Sequence, residues 1–285
     1  MKSFFQLPLT GGVMLLVALL FAACGTDKLD PQLPAGITPE IKSNFEELGF
    51  DVSDIARVPV NNPITKEFEG EQFLLEGDIL ISQKSMEEML KSKVHHLGAV
   101  GEQYRTFNLV GGLPRTIRVL GYTGGSYALT SKMQTALSWA VNNYNALNMG
   151  LSFSRGTGTD YWNYDIVVYK VNASGGGGSA GFPSSGNPYK WVQINSGTNS
   201  FSTNVNEHVI THEIGHCLGL RHTDYFNRSL SCGSGGNEGS AGVGAVHIPG
   251  TPTGFDANSI MLACFNSSED GEFGPFDRVA LEYLY

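Results

Sequence analysis

Apolar positions along this chain follow two periods, and the switches between them lay out its elements. From Thr130 onward, Met133, Leu137, Ala140, Val141, Tyr144 and Leu147 recur three or four apart. That is the spacing of one helix face, with Thr130 as its cap. Residues 204–218 predict a second long helix and 277–285 a third, closing the chain. Short runs rich in β-branched and aromatic residues read as strands at 116–120, 151–153, 165–171, 180–183 and 191–194. The 165–171 run is nearly all apolar, so it is expected at the centre of a sheet. The 180–183 run ends in Pro183, which suits an edge. Nearer the start, Thr38 and Pro39 open a helix that runs to Leu48. Residues 73–82 alternate as short strands, and 85–93 reads as a helix with Glu87 and Glu88 near its start. This N-terminal stretch shows no obvious core of its own, and 104–112 reads as a connector. The order strand, helix, four strands, helix, loops, helix predicts an α+β fold.

The first residues follow another pattern. Lys2 precedes an apolar run, Val13 to Ala23, which is too short to span a bilayer comfortably and ends in Phe21-Ala22-Ala23-Cys24. The ending resembles a bacterial lipobox, with Phe21 where leucine is usual. It implies a lipoprotein-type signal peptide at 1–23, acylation of Cys24, and a tether over 24–36. The expectation is export and anchoring to a cell-envelope membrane, on either face. Export also permits a disulfide among Cys217, Cys232 and Cys264. Cys217 falls on a predicted helix, where it packs as a small apolar residue. Cys232 and Cys264 lie in loop-like stretches and are the favoured pair, although all three pairings are open.

Composition narrows the function. The net charge is −9 with only 16% charged residues, which excludes the clustered Lys and Arg of a nucleic-acid binder. With 41% hydrophobic residues the chain has enough apolar mass for a real core.

The chemistry is concentrated in His212-Glu213-Ile214-Gly215-His216-Cys217-Leu218-Gly219-Leu220-Arg221-His222. Residues four apart share a helix face, so His212 and His216 present two imidazoles to one ion. Gly219 adopts the left-handed conformation that ends a helix, and the chain turns back to bring in His222. Three neutral imidazoles leave a fourth position open, the mark of a catalytic rather than a structural zinc. Glu213 lies beside them, placed to act on water as general base.

These residues resemble the metzincin metalloproteases, whose motif is HExxHxxGxxH. The HEIGH form, the following Arg221-His222-Thr223-Asp224 and the ending Ala280 to Tyr285 are similar to the bacterial dual-action HEIGH metallopeptidases. The resemblance covers Arg115 to Tyr285. It implies a catalytic domain at 113–285 built on a twisted mixed sheet of about five strands, with a long backing helix, an active-site helix and a C-terminal helix. It also implies a methionine turn in which Met261 floors the site. One zinc, a protein or peptide substrate cleaved internally and a monomeric state follow as expectations, with residues 37–112 as a pro-like region. Leu75-Glu76-Gly77-Asp78 is similar to the Phe-x-Gly-Asp of astacin propeptides, which makes Asp78 a candidate latency ligand; Phe68-Glu69-Gly70-Glu71 is a weaker echo. Astacins place Glu after the third His and Tyr two residues past the Met. Here Thr223 and Ala263 stand there, so a tyrosine ligand is not expected. Tyr225 is a candidate oxyanion partner, though packing in its loop is the favoured reading. Substrate is expected along an edge strand at 180–185, with the preceding glycines permitting close backbone approach.

Two other functions fit parts of this pattern. A zinc-retaining binding or adhesion lipoprotein has no need of Glu213. An aminopeptidase of the HExxH type uses a distant Glu in place of His222.

Overall fold

The computed structural model describes residues 36–62, 65, 68–92, 103–235, 245–252 and 254–285. The expected signal peptide, Cys24 and nearly all of the tether lie outside them. The described residues belong to one compact unit, a mixed α+β fold.

The N-terminal region begins with helix α1 (Pro39–Glu47), where Thr38 Oγ1 accepts from the Ile41 N–H at 3.1 Å and Pro39 sits in the first turn. Strands β1 (Ala56–Asn61), β2 (Phe68–Leu75) and β3 (Ile79–Ser82) form an antiparallel meander, followed by helix α2 (Gln83–Ser92). Contrary to the sequence expectation, this region has a hydrophobic cluster of its own. Phe45, Phe50, Phe73, Leu75, Ile79, Met86 and Met89 are buried together, joined by Phe182 from further along the chain. The pattern hid it because the cluster is assembled from single residues of many short elements rather than from one periodic face.

Strand β4 (Tyr104–Arg105), part of the expected connector, pairs instead with β10 (Val246–His247). Strand β5 (Arg115–Tyr122) leads to helix α3 (Ser131–Asn145), capped by Thr130 Oγ1 on the Met133 N–H at 3.3 Å. Next come β6 (Leu151–Gly158), β7 (Ile166–Val171), β8 (Gly178–Gly181) and β9 (Trp191–Asn195). Helix α4 (Thr203–Leu218) is capped by Ser202, a short α5 (Ser229–Cys232) follows, and α6 (Pro275–Leu284) closes the chain.

Among the described residues, eight of the ten strands make one sheet in the order β1-β2-β3-β8-β9-β7-β5-β6, and β4 and β10 form a separate two-stranded pair. The five strands expected after residue 113 are all present, and the N-terminal meander adds three. As its apolar run implied, β7 is internal. The expected edge at 180–183 is not an edge among the described strands, because β3 lies parallel to β8, pairing Ile79 with Ala180 and Leu80 with Gly181. Sequence pattern ranks a strand by its own residues; it does not reveal that a distant segment covers it. The predicted apolar face of α3 is buried between the sheet and α4, where Tyr144 donates to Thr211 O at 2.9 Å.

Candidate metal centre

Helix α4 carries the motif on a wholly buried stretch from Val205 to Leu218. A helix so enclosed places its side chains rigidly, as a metal site requires. It stops at Gly219, with φ of 103°, whose N–H bonds His216 O at 2.9 Å. A side chain there would be strained by that φ, and its Cβ would lie 2.7 Å from Asn108 O. The chain then runs beside β4, with Arg221 N–H donating to Tyr104 O at 2.8 Å. This returns His222 to the face of α4.

His212, His216 and His222 offer ring nitrogens that, with a carboxylate oxygen of Asp78, all lie within 4.8 Å of one another. The Nε2 atoms of His212 and His216 are 3.0 Å apart. His222 Nε2 is 3.2 Å from Asp78 Oδ2, and His212 Nε2 is 3.6 Å from it. His212 Nδ1 faces Ile260 O at 2.9 Å, and His216 Nδ1 faces Leu220 O at 2.8 Å. A carbonyl only accepts, so both Nδ1 atoms carry the proton and both Nε2 lone pairs point at each other. Two acceptors at that separation repel unless a cation lies between them. Three imidazoles and one carboxylate are the donor set of a first-row divalent ion. The residues therefore fit a metal.

Met261 is buried beneath α4, and its amide N–H donates to Ser259 Oγ at 3.1 Å. A Cβ on Gly215 would sit 2.6 Å from Met261 Sδ, so the glycine inside the motif is what lets the methionine approach. Asp78 stands at the tip of the β2–β3 hairpin. Glu76 and Gly77 both have positive φ, 57° and 88°, the signature of a tight hairpin turn. The backbone of Asp78 joins the sheet, its carbonyl accepting from the Ala180 N–H at 2.9 Å. Burial alone would raise the Asp78 carboxyl, but His222, His212 and His216 together draw it well below the usual range. Glu71 of the weaker echo pairs instead with Arg57 at 3.0 Å.

Glu213 is buried, and its Oε2 has no hydrogen-bond partner among the described residues. Burial, then the charge of Asp78, pushes its carboxyl well above the ordinary value. The strand β8 passes directly over it, and a Cβ on Gly178 would lie 2.9 Å from Glu213 Oε1. Glu213, His212, Asp78 and Gly178 line a cleft of about 280 Å³, together with the apolar Val209, Leu262 and Phe265. His208 also lines it, buried and stacked 6.5 Å from the His212 ring, and burial followed by His212 lowers its pKa to about 3. Tyr225 is packed edge-on against Tyr104 at 4.2 Å and is not among the residues that line the cleft. Cys232 and Cys264 are joined by a disulfide, while Cys217 is a buried thiol.

The chain matches, over residues 73–285, the family described as the dual-action HEIGH metallo-peptidases. It belongs to that family. The metallo-peptidases of this description act on protein or peptide substrates, and the matched span takes in β3 and Asp78 as well as the motif helix. Two solved structures of myroilysin are similar at 15% and 14% identity. Each match covers 60% of this chain, with 79% and 83% of the respective myroilysin chains, at a TM-score of 0.38 in both cases. None of the curated proteins compared with the chain matches it.

Two parts of this metallo-peptidase's site escaped sequence reasoning. Asp277, in the first turn of α6, accepts from Ile260 N–H and Ser259 Oγ at 2.8 Å each, and from Gln103 Nε2 and Gly274 N–H at 2.9 Å each. It thereby holds Ile260, the residue whose carbonyl faces His212 Nδ1; burial raises its pKa to about 6. Glu76 reaches Arg221 Nη2 at 2.7 Å and faces His222 Nδ1 at 3.3 Å. A capping signal, Pro275 with Asp277 two residues on, was present for the first. Nothing in the spacing pointed to the second.

Proposed function

We propose that this metallo-peptidase is a monomeric, exported zinc endopeptidase, anchored through lipid on Cys24 and held latent by its own N-terminal region. The observation that carries the reading is the convergence of three imidazoles and the Asp78 carboxylate within 4.8 Å, beside the buried Glu213. Zinc suits a His-rich site with one replaceable position. Bound there, it supplies Lewis acidity and a water acidified to a pKa of about 7. Glu213 takes the proton of the attacking water at Oε2 and passes it to the leaving amine. The substrate lies as a strand along β8 in the place now held by β3, accepting at the Ala180 N–H the bond that Asp78 O takes in this structure. A strand can continue past both ends of such a cleft, which favours internal bonds over terminal ones. Asp78 occupies the replaceable position until the N-terminal region is displaced.

Two measurements test this. Full-length protein should carry one zinc per chain, and after limited proteolysis of its N-terminal region it should cut casein at internal bonds identified by mass spectrometry. Chelation should abolish the cutting, and added zinc should restore it. Zinc-loaded protein that cuts nothing, whether trimmed or intact, would instead make it a binding lipoprotein. For the anchor, cells expressing the intact chain should incorporate labelled fatty acid into it. Incorporation that persists in Cys24→Ala would place the lipid elsewhere or refute it.

A further inference from the structure

A metal-bound imidazole is fixed by what its other nitrogen touches, since that contact sets both the tautomer and the ring's rotation. The three histidines differ here in where that contact comes from. His212 Nδ1 is met by Ile260 O and His216 Nδ1 by Leu220 O, both belonging to the part of the chain that carries the motif. His222 Nδ1 is faced by Glu76 Oε2, which arrives from the N-terminal hairpin.

Glu76 is set firmly in place. Its side chain is fully buried, and Oε1 accepts from Arg221 Nη2 at 2.7 Å and from the Asp51 N–H at 3.2 Å. Its backbone carbonyl accepts from Arg228 Nη2 at 2.7 Å. Arg221 donates in turn to Gly49 O at 3.1 Å and lies 4.1 Å over the Phe50 ring. The residue also holds a left-handed φ of 57°, which disfavours a side-chain-bearing residue and persists only where surrounding contacts enforce it. One strained turn thus delivers two carboxylates to one imidazole, Asp78 at Nε2 and Glu76 at Nδ1.

We infer that Glu76 is a positioning residue for the metal centre, so that the N-terminal region builds the third ligand as well as blocking the site. The inference rests on the proposed zinc reading. Before the N-terminal region leaves, His222 is held in its ligating orientation by Glu76, and the precursor is the form that takes up and keeps the ion. Asp78 and Glu76 then have separable effects: loss of the first opens the site, and loss of the second loosens the metal.

The test uses full-length protein, with zinc release followed by a chromophoric chelator and cobalt substituted for zinc to report the ligand field. Glu76→Gln keeps the shape of the side chain but has one acceptor oxygen, which cannot serve both Arg221 and His222. It should release zinc several-fold faster and shift the visible cobalt spectrum, with unchanged near-ultraviolet circular dichroism. Glu76→Ala combined with Arg221→Met, which avoids stranding the guanidinium, should lower zinc affinity by about 10–100-fold, the range for lost outer partners of metal-bound histidines. Parental zinc release and cobalt spectrum in Glu76→Gln would overturn the inference even if the double variant fails to fold. Failure of the parent itself to bind zinc would refute the zinc reading instead, so the two outcomes are distinct.

Discussion

Glu213→Gln, in protein freed of its N-terminal region, is expected to retain one zinc per chain while hydrolysing a fluorogenic peptide about 10²–10⁴-fold more slowly. The four groups that converge are His212, His216, His222 and Asp78, and Glu213 is not one of them. The metal should therefore tolerate its change. An amide has the same shape but cannot take a proton from water, so the loss isolates proton transfer from binding. Among the described residues lining the cleft, His208 is a second candidate base, and its pKa, lowered to about 3 by burial and then by His212, leaves it uncharged near neutral pH. If Glu213→Gln keeps activity within tenfold of the parent, the base is elsewhere, and His208→Ala becomes the variant to measure. Loss of zinc together with activity would show that Glu213 holds the site together rather than serving as its base.

What was legible beforehand follows a physical line. Helix starts at Thr38 and Thr130 were readable because a cap is a local hydrogen bond, made within three residues of the side chain that accepts it. The pairing of His212 with His216 was readable because helical spacing alone makes them neighbours. Contacts between segments distant in sequence were not. The pairing of Ile79 with Ala180, the reach of Asp277 to Ile260, and Glu76 beside Arg221 each join stretches whose local patterns are independent. Gly215 is an intermediate case. Its place in the motif was plain, but its reason, the approach of Met261 Sδ, needs the methionine turn in position. The N-terminal cluster around Phe45 and Phe73 was missed on similar grounds, since its members come from helices and strands too short to show a period.

Asp78→Ala in the full-length protein is expected to raise hydrolysis of a short fluorogenic peptide by on the order of tenfold or more, which equates to about 1.4 kcal/mol or more of lost occlusion. The gain on casein should be smaller. The reason is that Asp78 contributes two separate contacts. Its carboxylate lies among the imidazoles, 3.2 Å from His222 Nε2, whereas its backbone carbonyl accepts from Ala180 N–H. Alanine removes only the first, so β3 stays on β8 and still excludes a long strand-forming substrate. The same substitution removes a negative charge that, after burial, pushes the Glu213 carboxyl up, so one change exposes the metal position and moves the pKa of the residue that must take the proton back toward its ordinary value. Asp78→Asn, which keeps the volume but not the charge, should fall between Asp78→Ala and the parent. The decisive comparison is with protein trimmed of its N-terminal region. If trimming activates both substrates while Asp78→Ala changes neither, latency comes from strand β3 alone and the carboxylate is a bystander. If Asp78→Ala matches the trimmed protein on casein as well, the carboxylate is the whole lock and the strand pairing yields readily to substrate.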